Sequence, residues 1–435
     1  MEKNENFFLK KKILIYGLGK TGVETFDFLK KKADVYVFDD AIIKTKNLFL
    51  KQKILNFKKL LRIKFDRIII SPGININKCK LSSVLKTNFL NVYSDLDIFY
   101  CFFKNKTFVI TGTNGKSTTS KILHEVLLDQ KYDSRLVGNI GNPILSEKKI
   151  TNKTVFVIEA SSYQLDYSKI FKTKCAIILN ISPDHLERHT TLNNYIDAKF
   201  KLIKSQLADS IAFVKKNDQH IIEKIKNNTF KSKIVRVDTS NVFKILKNIK
   251  NKYFLSPGNQ ENLSFVLKIS KLLKLNKKKL YKTLNKFKGL SYRQETIFKS
   301  KKLIIINDSK STSFASSANL LKKLNNVYWM VGGIPKKGDK FPLFKKDCKD
   351  IKVYIFGKYF EIFNKKFQNK LIIKNHKDLK ASLKNIFFDI KKEKNNLIKT
   401  IFFSPAGASF DSFKNFEERG LYFNQLVKKM INENK

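Results

Sequence analysis

Short apolar runs recur along the chain, each ending at a small or polar turn and most leading into a stretch with helical spacing. Lys12-Ile13-Leu14-Ile15-Tyr16 reads as a buried strand, residues 21–31 as a helix and Val35-Tyr36-Val37-Phe38 as a second strand. Arg67-Ile68-Ile69-Ile70 is a later strand, stopped by Ser71-Pro72-Gly73. The rhythm restarts at Thr107-Phe108-Val109-Ile110 and continues through Val155–Ile158 and Ala176–Leu179. It restarts again at Leu303–Ile306 and runs through Val327–Val331, Val353–Phe356 and Thr400–Phe403. Strands that alternate with helices imply parallel sheets. Three restarts predict an α/β protein of three domains, with joins near residues 100–106 and 286–295.

Composition narrows this picture. The 435 residues are 42% hydrophobic and include 38 Phe, enough to fill cores and to exclude wholesale disorder. Apolar stretches without a charge are too short for a spanning helix, so no membrane span is expected. The four cysteines (Cys79, Cys101, Cys175, Cys348) lack paired spacing and read as reduced thiols of a cytoplasmic protein. Lys and Arg number 87 against 37 Asp and Glu, a formal net charge of +50. Such charge suggests a nucleic-acid partner. Only seven of the 87 are arginines, however, and base readers favour the arginine fork. The excess collects in stretches such as 271–288, with eight Lys and no acid, which read as a solvated helical face. No specific nucleic-acid partner is expected.

Three groups of residues carry chemistry. Gly17-Leu18-Gly19-Lys20-Thr21-Gly22 follows the first strand and opens a helix, with Asp39 and Asp40 at the end of the second strand. This is the dinucleotide fingerprint, in which glycines admit a diphosphate and an acid holds a ribose. Thr111-Gly112-Thr113-Asn114-Gly115-Lys116-Ser117-Thr118 lies between a strand and the helical pattern of residues 119–129. It has the parts of an ATP phosphate loop: glycines whose N–H groups wrap phosphates, a Lys for the β/γ-phosphates, and hydroxyls for Mg²⁺. Glu159 ends the strand Val155–Ile158, where a carboxylate beside a phosphate loop either binds Mg²⁺ or caps the next helix. Asn180-Ile181-Ser182-Pro183-Asp184-His185 follows the next strand, which puts His185 at the same sheet edge as Glu159 and Lys116. His124 and His376 read as structural. The third group comprises Asn307–Thr312, Gly332-Gly333 with Lys337 nearby, and Ser404–Gly420, all turns at strand ends where open α/β sheets bind ligands.

In this order the segments resemble the Mur ligase family along essentially the whole chain. Gly138-Asn139-Ile140-Gly141, Glu159–Gln164 and Tyr195-Ile196-Asp197-Ala198-Lys199 add to the resemblance. Ser-Pro-Ala-x-Ala-Ser-x-Asp, then Phe-Lys-Asn-Phe-Glu-x-Arg-Gly, within Ser404–Gly420 is similar to the branch that adds D-glutamate to UDP-N-acetylmuramoyl-L-alanine. The resemblance implies a Rossmann-like UDP-binding domain (1–103), a central P-loop-type ATPase domain (104–289) and a Rossmann-like amino-acid-binding domain (290–435). It implies ATP-dependent ligation through an acyl phosphate, by a cytoplasmic monomer that makes peptidoglycan precursor.

The same resemblance assigns residues. Gly17, Gly19, Lys20, Thr21, Asp39, Asp40, Ser71 and Asn139 would contact the UDP-sugar. Gly112, Thr113, Asn114, Gly115, Lys116, Ser117, Thr118, Asn262, Arg293 and Asp308 would contact ATP. Ser117, Glu159, His185 and Lys199 would hold two Mg²⁺ ions, with Lys199 as a carbamate, and Lys116, His185 and Lys199 would be catalytic. Lys310, Thr312, Lys337, Ser409 and Phe416 would hold D-glutamate. One departure is Gly258, where the family often has His before the pair Asn259 and Asn262. Residues 215–255 match poorly and receive no role. An NAD-dependent oxidoreductase would leave the phosphate loop unexplained. A folylpolyglutamate synthetase shares that loop but lacks the glycine domain and the Ser404–Gly420 pattern.

Overall fold

The computed structural model describes residues 5–41, 47–240, 246–336, 338–367 and 370–433. The chain forms two compact units, Met1–Lys288 and Gly289–Lys435. The first holds two parallel sheets. One consists of β1 (Lys12–Tyr16), β2 (Asp34–Phe38), β3 (Arg67–Ile70) and β4 (Val92–Tyr93), in the order β2-β1-β3-β4. The other consists of β5 (Lys106–Thr111), β6 (Ser134–Gly138), β7 (Val155–Glu159), β8 (Cys175–Ile178), β9 (Ile211–Lys215) and β10 (Lys233–Val237). Its order is β10-β9-β8-β5-β7-β6.

The second unit contributes β11 (Glu295–Lys299), β12 (Leu303–Asn307), β13 (Val327–Gly332), β14 (Ile334–Pro335), β15 (Ile351–Phe356), β16 (Ile372–His376), β17 (Lys399–Phe403) and β18 (Gly407–Ala408). Its main sheet runs β11-β12-β17-β13-β15-β16, with β11 antiparallel to β12 and the other pairs parallel, while β14 and β18 pair as a small antiparallel ladder.

Every strand expected from an apolar run is present: β1, β2, β3, β5, β7, β8, β12, β13, β15 and β17. They are buried on both faces, as strands under helices on either side must be; β7, β8, β13 and β17 are buried at every position. The strands that escaped the pattern are mostly short or edge elements. In β10 and β16 polar residues interrupt the run and the burial is partial. The expected helix at 119–129 begins three residues earlier, at Lys116, because Gly115 (φ +82°) turns the chain into it. The lysine-rich stretch forms Pro257–Leu272 and Lys277–Lys286, and the latter buries only Leu280, Thr283 and Leu284.

This order of strands decides where a ligand can sit. The connections leave to opposite sides from the parallel neighbours β1 and β3, and again from β5 and β8, opening a crevice at each set of carboxyl ends. Within the first unit a buried carboxylate helps to join the sheets. Asp97, in the helix Asp95–Phe102, accepts from the backbone N–H groups of Lys169, Ile170 and Phe171 at 2.9–3.0 Å through Oδ1. Its Oδ2 accepts from Ser94 N at 2.9 Å, and the residue is fully buried. Removing it strands four donors, three of them away from its own helix. Asp97→Ala should lower the unfolding free energy of the first unit by about 3 kcal/mol or more. Urea titration followed by circular dichroism measures this, and an unchanged midpoint would contradict the role.

Candidate functional site

The phosphate-loop segment leaves β5 through Gly112 (φ +150°) and enters the helix Lys116–Asp129 through Gly115. Both glycines are required. A Cβ on Gly115 would lie 2.0 Å from Oδ1 of Asn262, which packs against the loop from the helix Pro257–Leu272. A Cβ on Gly112 would lie 3.0 Å from Leu179. Thr113 accepts from Ser182 N through its hydroxyl, which also bonds the Tyr195 hydroxyl at 3.0 Å. Asn114 N donates to Oδ1 of Asn180, whose amide donates to Glu261; Glu261 in turn pairs with Lys215 at 2.5 Å. Strand ends β5, β8 and β9 are thus laced together under the loop.

Two lysines converge on one carbonyl. Lys116 Nζ donates to the oxygens of Gly112 and Thr113, each at 2.9 Å, and Lys199 Nζ donates to the same Gly112 oxygen at 2.9 Å. Lys199, on the helix Leu192–Lys204, is 1% exposed and lies over the Tyr195 ring. Burial, and secondarily the Lys116 charge, push its ammonium well below the ordinary lysine range.

Glu159 ends β7 beside this loop and is 1% exposed. Its Oε1 accepts from the Asn139 amide at 2.9 Å, and its buried Oε2 has no hydrogen-bond partner among the described residues. Asn139, expected at the UDP-sugar, thus has its side-chain amide on the Glu159 carboxylate. Gly138 (φ +101°) permits this, since a Cβ there would meet the Glu159 carbonyl oxygen at 2.4 Å. His185 begins the short helix Leu186–His189 in the left-handed region (φ 54°), half exposed, with Asp184 and Glu187 carboxylates 3.4 and 3.6 Å from its ring nitrogens. Among the described residues no three His, Cys, Asp or Glu side chains form a ready-made metal cage. Tyr163 packs against both His185 and His189, and buried His189 bonds Ser162 at 2.9 Å. Sequence reasoning passed over His189, Tyr163 and Tyr195, although the last two stand inside quoted motifs. His124 and His376 are structural as expected: His124 bonds Ser134, and His376 stacks on Tyr354.

At the first sheet, Gly17 (φ +94°) packs against Ser71, whose hydroxyl donates to the Gly17 oxygen at 2.6 Å. Gly22 allows the helix to approach, because a Cβ there would meet Gly17 O at 1.9 Å. Gly19, Lys20 and Thr21 open the helix Lys20–Leu29, with Gly19 and Lys20 exposed. Asp39 accepts from Leu18 N at 2.6 Å, so the loop's own acid occupies a donor that a dinucleotide's diphosphate would use. Asp40 accepts from the Tyr16 hydroxyl at 2.6 Å. Gly17, Ser71, Asp39 and Asp40 are thus brought together at one sheet edge.

In the second unit β12, β17 and β13 are neighbours, which gathers the turns that follow them. Asp308 is 5% exposed, accepting from the Ser404 hydroxyl at 2.8 Å and Gln294 N at 3.2 Å. Burial raises its carboxyl to about 7, against the lowering effect of these bonds and of Arg293 and Arg419. Ser404 continues a buried hydroxyl chain through Ser317 (2.6 Å) to Ser311 (2.9 Å). The Lys310 ammonium lies 4.0 Å from the centre of the Phe416 ring, Ser409 is buried, and Thr312 is exposed. Lys337 lies outside the described residues. Arg419 is the residue the sequence left without a role. Fully buried, it donates to the Ser309 hydroxyl and carbonyl and to the Gly407 carbonyl at 2.7–3.1 Å, tying two of these turns to the helix Phe416–Glu433.

Residues 11–92 match the N-terminal domain of MurD-like Mur ligases, and residues 110–271 match the Mur ligase middle domain. The UDP-N-acetylmuramoylalanine–D-glutamate ligase of Rickettsia felis is 32% identical over 450 residues, covering 98% of this chain and 99% of that protein. The ligase of the same name from Rickettsia prowazekii is 33% identical over 446 residues, with 98% and 99% covered. Among solved structures, UDP-N-acetylmuramate–alanine ligase MurC from Thermotoga maritima aligns with a TM-score of 0.57 at 16% identity, covering 98% of this chain and 100% of that one. At that identity the likeness concerns the fold.

The raised Asp308 carboxyl makes a stability prediction. Folded protein keeps this proton between about pH 4 and pH 7 while the unfolded chain has lost it, so stability falls as pH rises through that window. Asp308→Asn, which mimics the protonated form, should remove that fall. Trp329, the single tryptophan and fully buried in this unit, reports the urea transition. The variant should gain stability over the parent between pH 5 and pH 7.5; a difference that does not change with pH would contradict the assignment.

Proposed function

The chain belongs to the Mur ligase family, and from this we propose that it joins D-glutamate to UDP-N-acetylmuramoyl-L-alanine, with ATP as the driving reagent. The observation that carries the reading is the phosphate loop with two lysines aimed at one carbonyl beside a buried, half-unpartnered carboxylate. Such an arrangement suits polyanionic phosphates and a cation. A hydride-transferring oxidoreductase has no use for it.

In this reading Gly112, Thr113, Asn114, Gly115, Ser117 and Thr118 wrap the triphosphate. Lys116 exchanges its carbonyl partners for phosphate oxygens, a substitution that replaces neutral acceptors by charged ones. Asn262, Arg293 and Asp308 supply the remaining nucleotide contacts. The unpartnered Glu159 Oε2 is the kind of hard, buried oxygen that Mg²⁺ takes, so the residues fit a metal, and Ser117, Glu159, His185 and Lys199 would hold two ions. Bound there, Mg²⁺ would neutralise charge on the transferring phosphoryl group.

Lys199 has the property its proposed modification needs. A carbamate forms when a neutral amine adds to CO₂ and releases a proton, and burial beside Lys116 keeps this amine neutral more readily than an exposed one. The product converts a repelled cation into an anion beside Lys116.

Gly17, Gly19, Lys20, Thr21, Asp39, Asp40, Ser71 and Asn139 would seat the UDP-sugar. Lys310, Thr312, Lys337, Ser409 and Phe416 would seat D-glutamate. The substrate carboxylate attacks the γ-phosphorus and ADP leaves. The amine of D-glutamate then attacks the acyl phosphate and phosphate leaves, carrying the carboxylate oxygen with it. Lys116 and His185 would offset the charge that builds on the phosphoryl oxygens. We place the reaction in the cytoplasm, carried out by a monomer.

Purified protein given UDP-N-acetylmuramoyl-L-alanine, ATP, Mg²⁺ and D-glutamate should release phosphate. Turnover with L-glutamate or another amino acid in place of D-glutamate would reject the substrate assignment. Lys199→Ala should lose at least about 100-fold in kcat and recover part of it with added short-chain carboxylic acids, which supply the missing anion. A fully active variant would exclude the carbamate.

A further inference from the structure

Three residues beyond His185, Arg188 leaves its own helix turn and reaches the first sheet. Its Nη1 donates to the Gly73 oxygen at 3.3 Å, and its Nη2 donates to the Ile74 oxygen at 2.5 Å and to the Tyr167 hydroxyl at 2.9 Å. The guanidinium plane covers the Tyr163 ring, 4.2 Å from its centre, and the same ring packs against His185. On the other side, the turn that receives these bonds is built onto the glycine loop. Ser71 bonds the Gly17 oxygen, and a Cβ on Gly17 would sit 3.0 Å from the Ile74 side chain. The Tyr167 hydroxyl also donates to the Ile74 oxygen and accepts from Ile76 N, so the turn is gripped by two side chains from helices that follow strands of the central sheet. One continuous set of contacts therefore joins Gly17, the Ser71–Ile74 turn, Arg188, Tyr163 and His185.

We propose that Arg188 is a positioning residue: it fixes the glycine turn against the His185 segment, so that a sugar nucleotide seated on the turn is presented in register to the phosphoryl donor. The proposal rests on the assignment of these two segments to sugar nucleotide and ATP. The chemistry suits the task. A guanidinium is planar and always charged, so it can bridge two carbonyls and a hydroxyl while stacking on a ring, whereas a lysine offers a point charge. Reacting groups misplaced by about 1 Å lose on the order of 100-fold in rate, while binding of either partner alone is little affected.

The test uses the full chain with Arg188→Ala and Arg188→Lys. Each variant should bind UDP-N-acetylmuramoyl-L-alanine and ATP separately within about threefold of the parent, while kcat falls by about 100-fold. Added guanidinium ion should restore part of the Ala variant's rate. Hydrogen exchange, measured with the sugar nucleotide alone, should show amides of residues 183–190 slowed in the parent and unchanged in both variants. This readout needs no turnover, so a parent that binds the sugar nucleotide but releases no phosphate would defeat the functional reading and leave the proposal still decidable. Should the Ala variant fail to fold, the Lys variant carries the test. A Lys variant with kcat within threefold of the parent, or with exchange still slowed by the sugar nucleotide, overturns the proposal.

Discussion

Lys116 and Lys199 both point at the Gly112 carbonyl, and the rest of the first unit can be understood from what holds them there. Two ammonium groups sharing one neutral acceptor repel each other, and the repulsion is strong because Lys199 is buried. The arrangement is stable only if one amine is neutral, or if anionic charge is brought in. Phosphates, a carbamate and the orphan oxygen of Glu159 each answer that demand. The fold's contribution is to prevent relaxation: glycines at 112 and 115 let the loop wrap tightly, Asn262 packs against Gly115, and the helix carrying Lys199 is pinned through Tyr195 and Thr113.

The same logic of buried groups waiting for partners separates the three sheet edges. At the first sheet the loop satisfies its own polar groups, with Asp39 on Leu18 N and Ser71 on Gly17 O, so a ligand there has to be held by displacement or by the exposed first helical turn. At the central sheet a surplus of positive charge awaits phosphate. In the second unit Arg419 ties the turns together from inside, and burial raises the Asp308 carboxyl to about 7. The wider charge of the chain is a different matter. It collects on outward faces such as Lys277–Lys286, with only three residues of that helix buried, and can raise the local concentration of anionic substrates without forming a site.

Much of this was legible in the sequence for a simple reason. Parallel strands covered on both faces must be nearly all apolar, and the turn that follows a ligand-binding strand must be small, so β1, β5, β7 and β12 announced both themselves and their loops. The strands without that double burial, β10 and β16 above all, gave no such signal. Long-range partners were not legible either. Nothing in the spacing of Arg188 or Arg419 says that one reaches Ile74 and the other Gly407. Asn139 shows the limit from the other side, since its motif was visible but its neighbour, Glu159, is set by the pairing of β6 with β7.

In the proposed reaction this loop activates a carboxylate by phosphorylating it. The most direct measurement is oxygen transfer. UDP-N-acetylmuramoyl-L-alanine labelled with oxygen-18 in its free carboxylate is turned over with ATP and D-glutamate, and the released phosphate is weighed by mass spectrometry. An acyl phosphate predicts phosphate carrying one labelled oxygen per turnover. Unlabelled phosphate, with ATP consumed at the same rate, would contradict the account.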